Sequence, residues 1–180
     1  VSAINGQIEV LLRRFDIRHI KIGLIESMET LKQVVRFLHE RISEPVIVYD
    51  PILKASAGFV FHEPDLTEFL DAIRGIYCIT PNIPEATRIF GAADMNRHLE
   101  MLGDTTNIYL KGGHGNETIS TDLLYVKDHT YAFPNDRITK GEKHGSGCVL
   151  SAALASQLAL GNALPLAAEK ANSYTHSFLA

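Results

Sequence analysis

The chain has 180 residues, a length that fits one domain and would cramp a second. Hydrophobic residues make up 46% and charged ones 21%, ordinary globular usage that excludes a disordered or collagen-like chain; about two thirds of the unfolded surface can be buried without help from metal or disulfide. The 17 Lys and Arg against 21 Asp and Glu leave a net charge of -4 with no basic run, so nucleic acid is not an expected partner.

Ile4, Ile8, Leu11, Leu12 and Phe15 recur at helical spacing, and Ile17 to Ile22 follows as a β-branched run ending at Gly23. Ser27 is the expected N-cap of a helix with Leu31, Val34, Val35 and Leu38 on its apolar face; Val46 to Tyr49, apolar on both faces, then reads as a buried parallel strand. Pro64 is placed as the first residue of a helix carrying Leu66, Phe69, Leu70 and Ile73, ahead of a strand at Tyr77 to Thr80. Pro84 starts a helix stopped by Gly91, and Asp94 caps one carrying Met95, Leu99 and Leu102 that ends at Gly103. Ile108 to Leu110 is a further strand, and Leu123 to Phe133 reads as an antiparallel edge hairpin broken at Lys127-Asp128-His129. Two helices close the chain, Cys148 to Leu160 stopped by Gly161, and Pro165 to about Leu179. The expected fold is α/β, a mostly parallel sheet with helices on both faces in a single unit, 1–180.

The first closing helix is the longest mostly apolar stretch and falls short of the roughly 20 residues that cross a bilayer, so no membrane span is expected. Two cysteines, Cys78 and Cys148, with no C-x-x-C and no signal-like start, point to a reducing cytoplasm. The remaining histidines show no metal-ligand spacing.

In such a sheet, ligands gather beyond the carboxyl ends of the strands, and the unusual residues lie there: Asp50-Pro51, Thr80-Pro81-Asn82, Lys111-Gly112-Gly113-His114 and Gly145-Ser146-Gly147-Cys148. Gly145 to Gly147 opening a helix can be an anion hole, since glycine permits close approach and free N–H groups attract negative charge; it can also be a simple turn. It is neither a Walker loop nor G-x-G-x-x-G. Lys111 and Gly112 suit a phosphate cradle or a plain β-turn. Glu85 can offset a helix dipole, or with Asn82 nearby hold Mg2+ through water. Asp50 ends a buried strand, where an unpaired carboxylate is costly, so a metal or cationic partner is expected. Cys148 is either a thiol activated at a helix N-terminus or a buried inert residue.

Lys21-Ile22-Gly23, Asp50-Pro51-Ile52-Leu53, Thr80 to Ala86 (TPNIPEA), Leu110 to His114, Asp122 to Tyr125 and His144 to Ala153 (HGSGCVLSAA), in this order and spacing, resemble the hydroxymethylpyrimidine/phosphomethylpyrimidine kinases of the ribokinase-like superfamily. The resemblance implies a phosphotransferase that uses ATP and Mg2+ to phosphorylate the hydroxymethyl group of an aminopyrimidine, and then its monophosphate, in thiamin biosynthesis. It also implies roles. Gly145, Ser146 and Gly147 would form the anion hole, and Cys148 would stand where other ribokinase-like enzymes have an Asp base. Asp50, Asn82 and Glu85 would arrange metal and triphosphate, Lys111 and Gly112 would lie by the nucleotide, and Leu24 and Ile52 would line the pyrimidine pocket.

The family pattern begins with a further strand and a Gly-rich segment that contacts the pyrimidine, and nothing like it precedes Val1. The expectation is therefore a domain lacking its N-terminal element, better equipped for nucleotide than for pyrimidine. Ser56-Ala57 stands where Lys-Ser is common, Leu24 replaces a usual Met, and neither Lys140 nor Lys143 aligns with the lysine ahead of the last block. A vitamin B6 (pyridoxal) kinase, a non-catalytic nucleotide-binding relic and a thiol hydrolase using Cys148 are the rival readings, and a homodimer is left open.

Overall fold

Every strand in the middle of the chain is short and apolar on both faces, so it is stable only when covered twice, and the chain supplies the two covers from different stretches. The computed structural model describes residues 1–54, 60, 61, 63–112, 118–136 and 145–180. These form α1 (Ser2–Leu12), β1 (His19–Ile22), α2 (Met28–Arg41), β2 (Val46–Tyr49), α3 (Leu66–Ala72), β3 (Cys78–Ile79), α4 (Ile83–Phe90), α5 (Met95–Gly103), β4 (Asn107–Leu110), β5 (Ile119–Val126), β6 (His129–Asp136), α6 (Ser146–Ala159) and α7 (Leu164–Leu179).

The six strands form one sheet in chain order, with β1 to β4 parallel and β5 and β6 antiparallel. When parallel neighbours follow in chain order, each right-handed crossover returns over the same face, so α2 to α5 all collect on one side. Strand residues alternate accordingly. Ile47, Tyr49, Ile79, Ile108 and Leu110 pack with Leu31, Phe69, Ile89 and Leu99 of those helices. Val48, Cys78, Tyr109 and Leu124 pack on the opposite face with Leu150 and Leu154 of α6 and Ala167, Ala168 and Ala171 of α7. The helices thus lie on both faces, as expected, the second face being covered, among the described residues, by the C-terminal pair.

Local signals explain most boundaries. Ser27 accepts the Thr30 N–H at 3.1 Å and starts α2. Gly91, at φ 78°, stops α4. Four expectations shift. Asp65, one residue after Pro64, caps α3 by accepting the Glu68 N–H at 2.8 Å, because its carboxylate does what the proline ring cannot. Asp94 precedes α5 without a side-chain cap bond. The hairpin is longer than its apolar part, pairing Ile119 with Asp136 as well as Val126 with His129. Gly145, left-handed at φ 90°, lets α6 begin at Ser146, two residues before Cys148.

Candidate functional site

The backbone ladder runs past the carboxyl ends of the parallel strands and fixes the residues that follow. Asp50 N–H donates to the Ile22 carbonyl, Thr80 N–H to that of Tyr49, and Lys111 N–H to that of Pro81, each at 2.9 Å. Asp50, Thr80 and Lys111 therefore stand side by side on one edge. Lys111 also forms an isolated parallel bridge with Asn82.

Asp50 is 1% exposed, and its carboxylate is satisfied from three directions. Lys111 Nζ donates to Oδ1 at 2.8 Å and Thr80 Oγ1 donates to it at 3.3 Å. Ser151 Oγ lies 3.3 Å from Oδ2 and 3.1 Å from the Gly147 carbonyl. It has one proton to give, and the carboxylate is the stronger acceptor. The cationic partner expected for Asp50 is thus supplied by the protein itself.

Lys111 Nζ also lies 3.9 Å from Glu85 Oε2, so one ammonium faces two carboxylates. Glu85 has a second duty. Its Oε2 accepts the Asn82 N–H at 2.8 Å while Asn82 Oδ1 accepts the Glu85 N–H at 2.8 Å, a reciprocal capping box at the head of α4. The helix-start reading of Glu85 and Asn82 therefore holds, and the same carboxylate still faces Lys111.

Burial pushes the Glu85 carboxyl above its ordinary range, with the nearby Asp50 charge adding to the rise and Lys111 and the Asn82 N–H opposing it. A carboxyl raised in the folded state binds its proton more tightly there than when unfolded, so it costs stability as pH rises from the ordinary carboxylate range through its folded value. Glu85→Gln keeps the capping box and removes the buried charge. Relative to the parent, it should be as stable or more stable at neutral pH, with the difference vanishing on acidification through that window. Urea melts across pH check this, and a large loss of stability in the variant at neutral pH would show that the charge is needed for folding.

The head of α6 faces this cluster. Its first backbone bond runs from Val149 N–H to the Gly145 carbonyl at 2.9 Å, and Gly145 has no side chain with which to cap it, so the amides of Ser146, Gly147 and Cys148 head the helix without intrahelical acceptors. A Cβ at Gly147 would lie 3.1 Å from Lys111 Nζ and 3.8 Å from Asp50 Oδ2, which places that amide end directly against the ion pair. Cys148 is an exposed free thiol in the first turn. That exposure overturns the buried reading of Cys148. Cys78 is the inert one: burial pushes its thiol up to about 12.

Other expected residues are dispersed. Leu24, 52% exposed, lines an apolar groove of about 580 Å3 with Ile4, Ile8, Ile20 and Ile22, between α1 and the edge strand β1. Ile52, half-buried two residues beyond Asp50, is not part of that groove. Gly112 donates its N–H to Asp122 Oδ1 at 2.7 Å, so this amide is directed at a side chain of β5 where a phosphate donor was expected. Gly113, His114, Ser56, Ala57, Lys140, Lys143 and His144 lie outside the described residues. Of the histidines, His39 bonds the Gly75 carbonyl at 2.9 Å and His98 stacks on Phe90, both packing roles. Among the described residues, no three His, Cys, Asp or Glu side chains gather as a metal cage, and no helix is long and apolar enough to cross a membrane.

The family described as phosphomethylpyrimidine kinase matches residues 1–180. The chain belongs to the phosphomethylpyrimidine kinase family. A hydroxymethylpyrimidine/phosphomethylpyrimidine kinase of Rhizobium meliloti (strain 1021) is 30% identical over 97% of this chain and 68% of its own. One of Staphylococcus aureus (strain Mu50) is 30% identical over 86% of this chain and 60% of its own. The chain thus spans about two thirds of the length of these relatives. Among solved structures, a phosphomethylpyrimidine kinase of Clostridium difficile 630 superposes with a TM-score of 0.75 at 27% identity, covering 99% of this chain and 76% of its own. A Staphylococcus aureus pyridoxal kinase in complex with ADP superposes at 0.83 and 23% identity, covering 99% of this chain and 68% of its own, a likeness of fold. The fold is that of the ribokinase-like kinases.

Sequence reasoning assigned no role to Thr80, Ser151 or Asp122. Ser151 carried a signal, a hydroxyl on the otherwise apolar buried face of α6 beside Leu150, Leu154 and Ala155. Thr80 and Asp122 stood inside the family-like blocks but carried none of their own.

Proposed function

We propose that this chain performs the family's phosphoryl transfer, from ATP to the hydroxymethyl group of an aminopyrimidine and then to its monophosphate. The observation that supports it best is the cluster of Asp50, Lys111 and Glu85 set against the amide end of α6. Phosphoryl transfer asks mainly for positioning and charge neutralisation, and this edge offers both signs of charge at close quarters. Lys111 and the amides of Ser146 to Cys148 would bind phosphate oxygens, with Gly147 leaving the space. Cys148, exposed at the same helix head, would hold or receive the proton of the attacking hydroxyl. Leu24 would meet the ring from the apolar groove.

Asp50 and Glu85 fit Mg2+ in chemistry, being hard oxygen donors in the small number that this ion takes from proteins while keeping waters and phosphates as its other ligands. When bound there, Mg2+ would neutralise charge on the transferring group. A cytoplasmic setting agrees with an exposed free thiol at the helix head.

Mg-ATP at roughly 100 times its Kd should raise folding stability by about 2.7 kcal/mol, because a ligand that binds only the folded state stabilises it by RT ln(1 + [L]/Kd). A thermal melt with and without Mg2+ reads this. No shift with Mg-ATP would overturn the nucleotide site. A shift with no transfer to hydroxymethylpyrimidine, against pyridoxal as control, would leave a nucleotide-binding domain and sink the pyrimidine kinase reading.

A further inference from the structure

The β4–β5 ladder stops at the Leu110 and Leu123 pair. One step further, Lys111 pairs on its other side with Asn82, and in place of a backbone partner from β5 the Gly112 N–H meets the Asp122 carboxylate at 2.7 Å. Asp122 is itself held on its second oxygen. Oδ2 accepts the Tyr109 hydroxyl at 2.7 Å and the Asn172 amide of α7 at 2.9 Å. Asn172 also donates to Tyr109 Oη at 3.1 Å, and its carbonyl accepts from Asn135 of β6 at 2.6 Å. Burial first, and the Asp122 charge second, push the Tyr109 phenol up, so it keeps its proton and donates.

We propose that Asp122 is a positioning residue that pins Gly112 and thereby aims Lys111 at Asp50 and the head of α6. Lys111 is flanked by two anchors, its own N–H on the Pro81 carbonyl and the next N–H on Asp122. With its main chain fixed on both sides, the long and otherwise mobile lysine side chain leaves the strand in one direction, and its ammonium meets Asp50 at 2.8 Å. Asp122 acts through Gly112 and Lys111 without touching the proposed ligand, and α7 is tied to the site through Asn172.

The inference rests on the proposed nucleotide reading for its effect on ligand, but its structural half stands apart from it. Three variants separate positioning from simple stability. Asp122→Asn keeps an oxygen that can accept the Gly112 N–H, Asp122→Ser keeps polarity but is too short to reach it, and Tyr109→Phe strips a hydroxyl from the network while leaving that bond. In ligand-free protein, amide exchange at Gly112 should accelerate by about tenfold or more in Asp122→Ser and stay near the parent rate in the other two. Mg-ATP affinity should fall by about tenfold in Asp122→Ser and recover in Asp122→Asn, while Tyr109→Phe melts earlier with affinity intact. Unchanged Gly112 exchange in Asp122→Ser would overturn the proposal. So would affinity losses in all three variants that simply track their melting temperatures. If the parent binds no Mg-ATP, the kinase reading fails on its own, and the Gly112 exchange rates still decide the role of Asp122.

Discussion

Lys111→Met should cost about 3 to 5 kcal/mol of folding stability, the range found when one partner of a buried ion pair is removed. Methionine keeps the apolar stem, so packing is nearly conserved and the loss reports on charge. Asp50 is 1% exposed and, among the described residues, would retain only the Thr80 and Ser151 hydroxyls, each at 3.3 Å, against the full desolvation of its carboxylate. A further result identifies the cause. Adding Asp50→Asn to Lys111→Met should recover much of the loss, since neither charge then remains. Urea melts of the single and double variants measure both. A loss below about 1 kcal/mol would place the pair with solvent-screened surface ion pairs and remove Lys111 as the organiser of this edge.

The elements that sequence reasoning placed well are those whose cause is local. Ser27 caps α2 because the acceptor and the N–H it serves are three residues apart. Val46 to Tyr49 has only apolar side chains or a buried tyrosine to offer, and becomes the buried parallel strand expected, paired on both sides. The candidate site was legible in part for the same reason: the turns at Asp50, Asn82 and Lys111 announce themselves as polar or glycine-rich breaks after apolar strands, and Gly145 as a glycine-rich start to an apolar helix. What could not be read is who meets whom. Asp50 and Lys111 are 61 residues apart in the chain, and their pairing exists only because β2, β3 and β4 lie in sequence order with their ladders prolonged by one residue each. Ser151 is 101 residues from Asp50 and depends on α6 crossing beneath β1 and β2. Asp122 is the sharpest case, since a lone carboxylate in an exposed-looking strand pattern gives no sign that its partners are a backbone amide and a helix at the end of the chain.

Gly112→Ala should be the most damaging single-methyl change in the site, on the order of 3 kcal/mol or more, at the upper end of overpacking costs. The reason is proximity, because Gly112 has no left-handed backbone to protect. A Cβ there would overlap the Thr121 carbonyl oxygen and lie 2.6 Å from its carbon, and both belong to the main chain of β5, which is locked into the ladder with β6 through the Thr121 and Pro134 pair. Neither side can give by a rotamer change. Relief must come from moving Gly112 off β5, which lengthens its bond to Asp122 and swings Lys111 away from Asp50. Gly147→Ala is the control. Its Cβ would meet the flexible end of Lys111 at 3.1 Å, so it should leave stability within about 1 kcal/mol, aided by the better helix propensity of alanine, while crowding the space at the head of α6. The pair of variants therefore divides stability from ligand: Gly112→Ala should lower the melting temperature sharply, and Gly147→Ala should weaken Mg-ATP binding with the melt nearly intact. Equal melting temperatures for the two would mean that the strand ends do not approach as closely as the Gly112 and Thr121 contact requires.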